Sequence, residues 1–302
     1  IEPIAADLTA AGARTLMLYL DGPLRYIPMA ALYDGERFLI ERYALVVFTE
    51  AAGDSGHRQS GDPWRLAGLG SSRAYEGFSA LPAVPRELEG IVQQNDADTD
   101  GVLPGVIYLD DEFTRKAVDT VFAGQFPVIH IASHFAFRSG ADINSYLLLG
   151  DGSHLTLADV RTSGYELDAV QMVTLSACET AVGDLSADGR EVEGLGTLLQ
   201  RQGAQAVLAT LWPVADRSTG SFMQSLYRQR ANHGLSKAEA LRQVQLRFLS
   251  KEINQFTRGT EARGETVTGW SDSSIDKANE SPASDWSHPY YWAPFILMGN
   301  WL

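Results

Sequence analysis

The feature that most constrains this chain is a succession of short apolar runs bounded by Gly, Asp or Pro. They are TLMLYL (15–20), ALVVF (44–48), RLAGLG (65–70), VIYL (106–109), PVIHIAS (127–133), SYLLLG (145–150), AVQMVTLSA (169–177), AVLATLW (206–212) and APFILMG (293–299). Several are apolar at nearly every position. A strand with one wet face would alternate, so these runs predict central strands covered on both sides.

Helical spacing fills the intervals. Leu88, Ile91 and Val92 fall at i, i+3 and i+4. Ala117, Val118, Val121 and Phe122 make a second stripe behind a Thr114 cap. Val192, Leu195, Leu198 and Leu199 make a third, and Gly203 sits where that helix should stop. Ser236 and Glu239 read as a capping box that opens a helix with Leu241, Val244 and Phe248 inward. Strands alternating with helices predict an α/β fold, a mainly parallel sheet sandwiched by helices. Asp151-Gly152, between SYLLL and HLTL, predicts an inserted hairpin near 145–157. Residues 251–288 are rich in Gly, Ser, Thr, Asp and Glu and lack periodicity, which predicts a mobile surface loop. No internal repeat recurs at a fixed period, and residues 1–302 read as one domain.

Composition narrows the function classes. The net charge is −14 over 302 residues, and Lys and Arg are scattered, which excludes nucleic acid as a main partner. No apolar run approaches the roughly 20 residues that cross a bilayer, and no signal-peptide order opens the chain. The first residue is Ile1, which predicts an excised or processed chain. A single cysteine rules out an internal disulfide framework and fits a reducing, cytoplasmic compartment.

That cysteine, Cys178, ends the run MVTLSAC. As a lone thiol it reads either as inert core or as a nucleophile. In open parallel sheets ligands bind at the carboxyl ends of strands, and Cys178 stands where a strand turns polar. The segment PVIHIASHFAF places His130 inside a strand and His134 just past its end. Two His at this spacing can share a metal on a helix, but the apolar neighbours of His130 indicate a strand and no third ligand is near, so no metal is assigned. His130 reads as a core histidine. His134 and Cys178 at one end of a sheet would form the pair that thiolate chemistry needs.

The order strand–His, strand–Cys, helix, strand–acid resembles that of clan CD peptidases such as caspases, separase and gingipains. The sequence is more closely similar to CHAT domains, through DGPLRYIPMAAL (21–32), VIHIASHF (128–135), LSACETAVG (175–183), EVEGLGTLLQRQGAQAVLATLWPVAD (191–216), LSKAEALRQVQ (235–245) and HPYYWAPFILMGNW (288–301). The resemblance covers nearly the whole chain. It implies a caspase-like fold, a bacterial regulatory cysteine peptidase with Cys178 and His134 as its dyad, and a TPR or other sensor module as regulator.

One residue departs from the family pattern. Many relatives carry Gly directly after the catalytic His, where this chain has Phe135. Any residue except Pro retains the backbone N–H, so an oxyanion hole from the Phe135 and Cys178 amides is still available. Phe would restrict the backbone and add bulk beside the substrate. Three residues keep two readings each. Asp216 caps a helix or selects a cationic substrate side chain. Glu179 is a solvated turn residue or a pocket wall, and Trp212 is core or a pocket wall.

The resulting expectation is a cysteine endopeptidase acting on a protein or peptide substrate after a basic residue, with no metal or organic cofactor. Two rivals stand beside it: a CHAT-like binding module that recruits a partner without cleavage, and a thiol amidase or acyltransferase acting on small molecules.

Overall fold

The computed structural model describes residues 1–51, 63–124, 126–136, 145–176, 190–212, 214, 216–252 and 285–302, and leaves the side chains of Glu2, 190–193 and Asp216 undescribed. Short helices α1 (Ala5–Ala10) and α2 (Leu39–Arg42) flank the first strands, β1 (Thr15–Leu18) and β2 (Ala44–Val47). After β3 (Leu66–Gly70) come α3 (Val84–Ile91), β4 (Val92–Gln93), β5 (Leu103–Leu109), α4 (Arg115–Ala123) and β6 (Val128–Ala132). A small antiparallel sheet follows, made of β7 (Phe135–Ala136), β8 (Tyr146–Leu148) and β9 (His154–Thr156). The chain continues through α5 (Leu157–Thr162), β10 (Met172–Ser176), α6 (Arg190–Arg201), β11 (Ala206–Thr210), α7 (Asp216–His233), α8 (Lys237–Leu249) and β12 (Phe295–Gly299).

The main sheet has the order β1-β2-β12-β11-β10-β6-β3-β5-β4. All its pairings are parallel except β11 with β12, as expected when strands are joined by helical crossovers. The expected mainly parallel sheet between helices is therefore present, and so is the hairpin of β8 and β9 around Asp151-Gly152.

Successive residues on a strand face opposite sides, and both sides are covered. Ala67, Leu69, Ile129, Ile131, Val173 and Leu175 face α4, α5 and α6. Leu66, Val128, Ala132, Met172, Ala206 and Leu208 face α3, α7 and α8. Each large aliphatic side chain so enclosed contributes about 1.5–3 kcal/mol to the fold. Gly70 lets α3 approach the sheet closely, since a Cβ there would lie 2.7 Å from both Val84 and Leu88. Gly203 ends α6 at φ +110°, a conformation costly for residues with a Cβ.

Local readings of the sequence meet two corrections. Val92 is not helical: α3 stops at Ile91, and Val92 pairs with Leu103 in β4. Thr114 caps α4 as expected, accepting from the Ala117 amide, but Ser236 and Glu239 form only half a capping box. Ser236 Oγ accepts from the Glu239 amide, whereas the Glu239 carboxylate is held by Arg242 and Gln243. The inward placement assigned to Val192 lies outside the described side chains, and most of the predicted loop at 251–288 lies outside the described residues. Its described ends meet in an exposed ion pair of Lys251 Nζ with Asp285 Oδ2 at 2.6 Å.

Candidate active site

Strands β6 and β10 run parallel at the centre of the sheet, with Ala132 opposite Ser176 at their carboxyl ends. The Ser133 amide donates to the Ser176 carbonyl at 3.3 Å and extends this pairing by one step. His134 follows directly, two positions beyond Ala132. Cys178 stands two positions beyond Ser176 in the sequence; it and Glu179 lie outside the described residues.

His134 is 2% exposed and fixed on several sides. Its carbonyl accepts from the Leu148 amide at 2.9 Å, which joins the strand end to the small sheet. The ring of Phe78 lies 5.0 Å from the imidazole, centroid to centroid. His134 Nε2 lies 2.8 Å from the carbonyl oxygen of Ser79. A carbonyl only accepts, so Nε2 carries the proton and the lone pair of the neutral ring sits on Nδ1. Such a ring can take a proton at Nδ1 without turning.

Phe135 corrects the expectation of bulk beside the substrate. Its side chain is 4% exposed and packs in the core with Ile131, Leu147 and Leu155. The reason is register: Phe135 lies opposite Leu147 across the ladder from β7 to β8. The Leu148-to-His134 hydrogen bond makes this the pair without mutual hydrogen bonds, so the Phe135 N–H points away from β8.

His130, predicted to be core, is fully buried on β6. Its Nε2 lies 2.9 Å from Glu87 Oε1 and its Nδ1 lies 3.1 Å from the Tyr227 hydroxyl. Tyr227 Oη is 2.9 Å from Thr174 Oγ1, and Ser176 Oγ donates to Glu87 Oε1 at 2.7 Å. Burial is the main reason that Tyr227 holds its proton far above the ordinary phenol range, with the nearby Glu87 adding to it. Among the described residues no cluster of His, Cys, Asp and Glu could hold a metal.

Trp212 is half-buried against the core beneath α7 and α8, and its Nε1 donates to the Tyr290 carbonyl at 3.1 Å. Asp216 opens α7, where an acid favours the positive end of the helix dipole. Its side chain is not among those described.

Sequence reasoning missed Ser79, Phe78 and Glu87. Glu87 had a signal: with Val84, Leu88 and Ile91 it stands at i, i+3, i+4 and i+7, an acid within an apolar stripe. Ser79 had none, because it acts through its carbonyl, which every residue has.

Comparisons with known proteins bear on the family and the fold. A family model described as the CHAT domain matches residues 1–300. No curated protein matches the sequence. Among solved structures, one described as a protease aligns with TM-score 0.55 at 12% identity, covering 98% of this chain and 66% of its own. The separase–securin complex of Saccharomyces cerevisiae aligns with TM-score 0.53 at 11% identity, covering 95% of this chain and 16% of that one. The complex of the pro- and mature domains of RgpB from Porphyromonas gingivalis aligns with TM-score 0.50 at 11% identity, covering 99% and 71%. At such identities the likeness concerns the fold. The chain spans about a sixth of the length of the separase chain it matches.

Proposed function

This chain belongs to the CHAT domain family, and from that premise we propose that it is a caspase-like cysteine endopeptidase, one domain over residues 1–302. The observation that carries the reading is the pinned imidazole of His134 at the carboxyl end of β6, beside the strand that leads to Cys178.

In this reading the Cys178 thiol gives its proton to His134 Nδ1, and the thiolate attacks the scissile carbonyl. Ser79 supports the charged ring, because its carbonyl accepts from Nε2–H throughout the cycle. The imidazolium then protonates the leaving amine, and water hydrolyses the thioester with His134 as base. The amides of Phe135 and Cys178 stabilise the oxyanion; for Phe135 the support is an N–H turned away from β8. Asp216 selects a cationic side chain before the cleaved bond, with Glu179 and Trp212 as further walls of that pocket. This chemistry needs no metal or organic cofactor. The substrate is a protein or peptide, and a TPR or other sensor module is the proposed regulator.

A binding module without catalysis drew its support from Phe135 in place of Gly. That support weakens once the ring is buried in the core rather than beside the substrate. Hydrolysis of a basic-residue peptide library by wild type and Cys178→Ala tests the proposal. Turnover that falls below about one per cent in the variant supports it, and equal turnover in both assigns the cleavage to something else.

A further inference from the structure

The unexplained feature of the core is Glu87. It is 2% exposed, in a helix face otherwise occupied by Val84, Leu88 and Ile91. A buried carboxyl group is costly unless it is well hydrogen-bonded, and apolar residues of equal volume would hold the layers together as well or better. What hydrogen bonds add is direction. Glu87 Oε1 accepts from Ser176 Oγ at 2.7 Å and lies 2.9 Å from His130 Nε2, so a single atom of α3 reaches β10 and β6 together.

We infer that Ser176 and Glu87 are positioning residues, holding the end of β10 in register with the strand end that carries His134. This rests on the reading of Cys178 and His134 as a catalytic pair. Ser176 is the last residue of β10, and three contacts fix this point of the sheet. Its carbonyl accepts from the Ser133 amide at 3.3 Å, its hydroxyl is held by Glu87, and Ser133 Oγ donates to the Leu148 carbonyl at 2.6 Å. The residue directly before His134 and the residue two before Cys178 are thus tied to each other and to the elements around them. The same stretch of chain serves both ends. Ser79, ahead of α3, holds His134 through its carbonyl, and Glu87, in the first turn of α3, holds Ser176. A displacement of 1 Å between reacting groups costs about 100-fold in rate, so a strand end fixed in this way is worth retaining a buried acid for.

The test compares Ser176→Ala and Ser176→Thr in the full 302-residue chain. Ser176→Ala removes one hydroxyl and leaves the Glu87–His130 contact. It should lower kcat about 10- to 100-fold, with KM within about threefold of wild type. Ser176→Thr, which retains the hydroxyl on a β-branched residue suited to a strand, should recover most of the loss. The rate of Cys178 alkylation by iodoacetamide against pH gives a second readout that needs no turnover. In wild type it should show a thiol titrating below the ordinary range, and in Ser176→Ala it should move back toward that range. A wild-type profile of an ordinary thiol would defeat the catalytic pair itself, and this inference with it. A perturbed wild-type profile left unchanged by Ser176→Ala, or a Thr variant as impaired as the Ala variant, would defeat the positioning role alone.

Discussion

His134 Nε2 is held 2.8 Å from the carbonyl oxygen of Ser79, 55 positions earlier in the chain. The contact fixes the tautomer of the ring and joins the loop before α3 to the end of β6. His130, four residues earlier, is bound instead to Glu87 and Tyr227 inside the core. The two histidines therefore respond differently to substitution. His134→Ala should lower turnover on the order of 10²–10⁴-fold with little change in melting temperature. His130→Ala should destabilise the fold by about 2–4 kcal/mol, because it leaves buried groups on Glu87 and Tyr227 without this partner. Kinetics and urea unfolding on both variants check this; the opposite pattern would mean that the roles are exchanged.

Phe135 offers a separation of fold from chemistry. Its ring is core, while its N–H is turned away from β8. Phe135→Ala should cost about 3–5 kcal/mol of stability. Below its lowered melting temperature it should retain kcat within about tenfold, since the backbone donor remains. A variant of normal stability with a changed substrate preference would return the ring to the substrate pocket.

Lys237 gives a pH dependence of definite sign. Burial, with Arg230 nearby, lowers its pKa from 10.5 to about 8, and its ammonium donates to the Leu302 carbonyl. The folded state thus releases this proton before the unfolded state does. Below pH 8 the full penalty acts, and stability recovers as the pH rises from about 8 to 10.5. Lys237→Met should therefore be more stable than wild type at pH 7 by about 1–3 kcal/mol, after allowing for the lost hydrogen bond. The difference should shrink toward pH 10.5. Urea unfolding of both proteins across this range is the measurement, and a difference independent of pH would show that Lys237 titrates normally.

Substrate preference tests the proposed role of Asp216. A carboxylate paired with a substrate guanidinium away from water is worth about 2–5 kcal/mol, or roughly 30- to several-thousandfold in kcat/KM over a neutral side chain. Matched peptides with Arg, Lys, Leu or Asp before the cleaved bond should show that margin for Arg and Lys, and Asp216→Asn should remove it. An Arg preference that survives in Asp216→Asn, or a preference for Leu, would leave Asp216 as the start of α7 and nothing more.

Much of this arrangement could be read from the sequence, and the exceptions have physical causes. Central strands such as Val128–Ala132 and Met172–Ser176 were legible because burial on both faces demands apolar residues at nearly every position. The two-residue strands Val92–Gln93 and Phe135–Ala136 are too short for any periodicity, and Val92 continued a helical stripe by chance. Glu239 carried the signature of a capping box, but Arg242 and Gln243 compete for its carboxylate from the next turn. At the site, His134 was legible because imidazole at a strand end has few structural uses. Ser79 was not, since a main-chain oxygen leaves no trace in residue type. The burial of Phe135 depends on its register against Leu147, which is fixed only when the small sheet forms.

The central claim is that Cys178 is a nucleophile activated by His134. Treatment of the purified chain with a peptide acyloxymethyl ketone bearing a basic residue, followed by peptide mass mapping, tests it most directly. The account predicts one covalent adduct, on Cys178, which forms far more slowly in His134→Ala. A protein that iodoacetamide alkylates at Cys178 but the peptide reagent leaves unlabelled, or one labelled equally fast without His134, would contradict it.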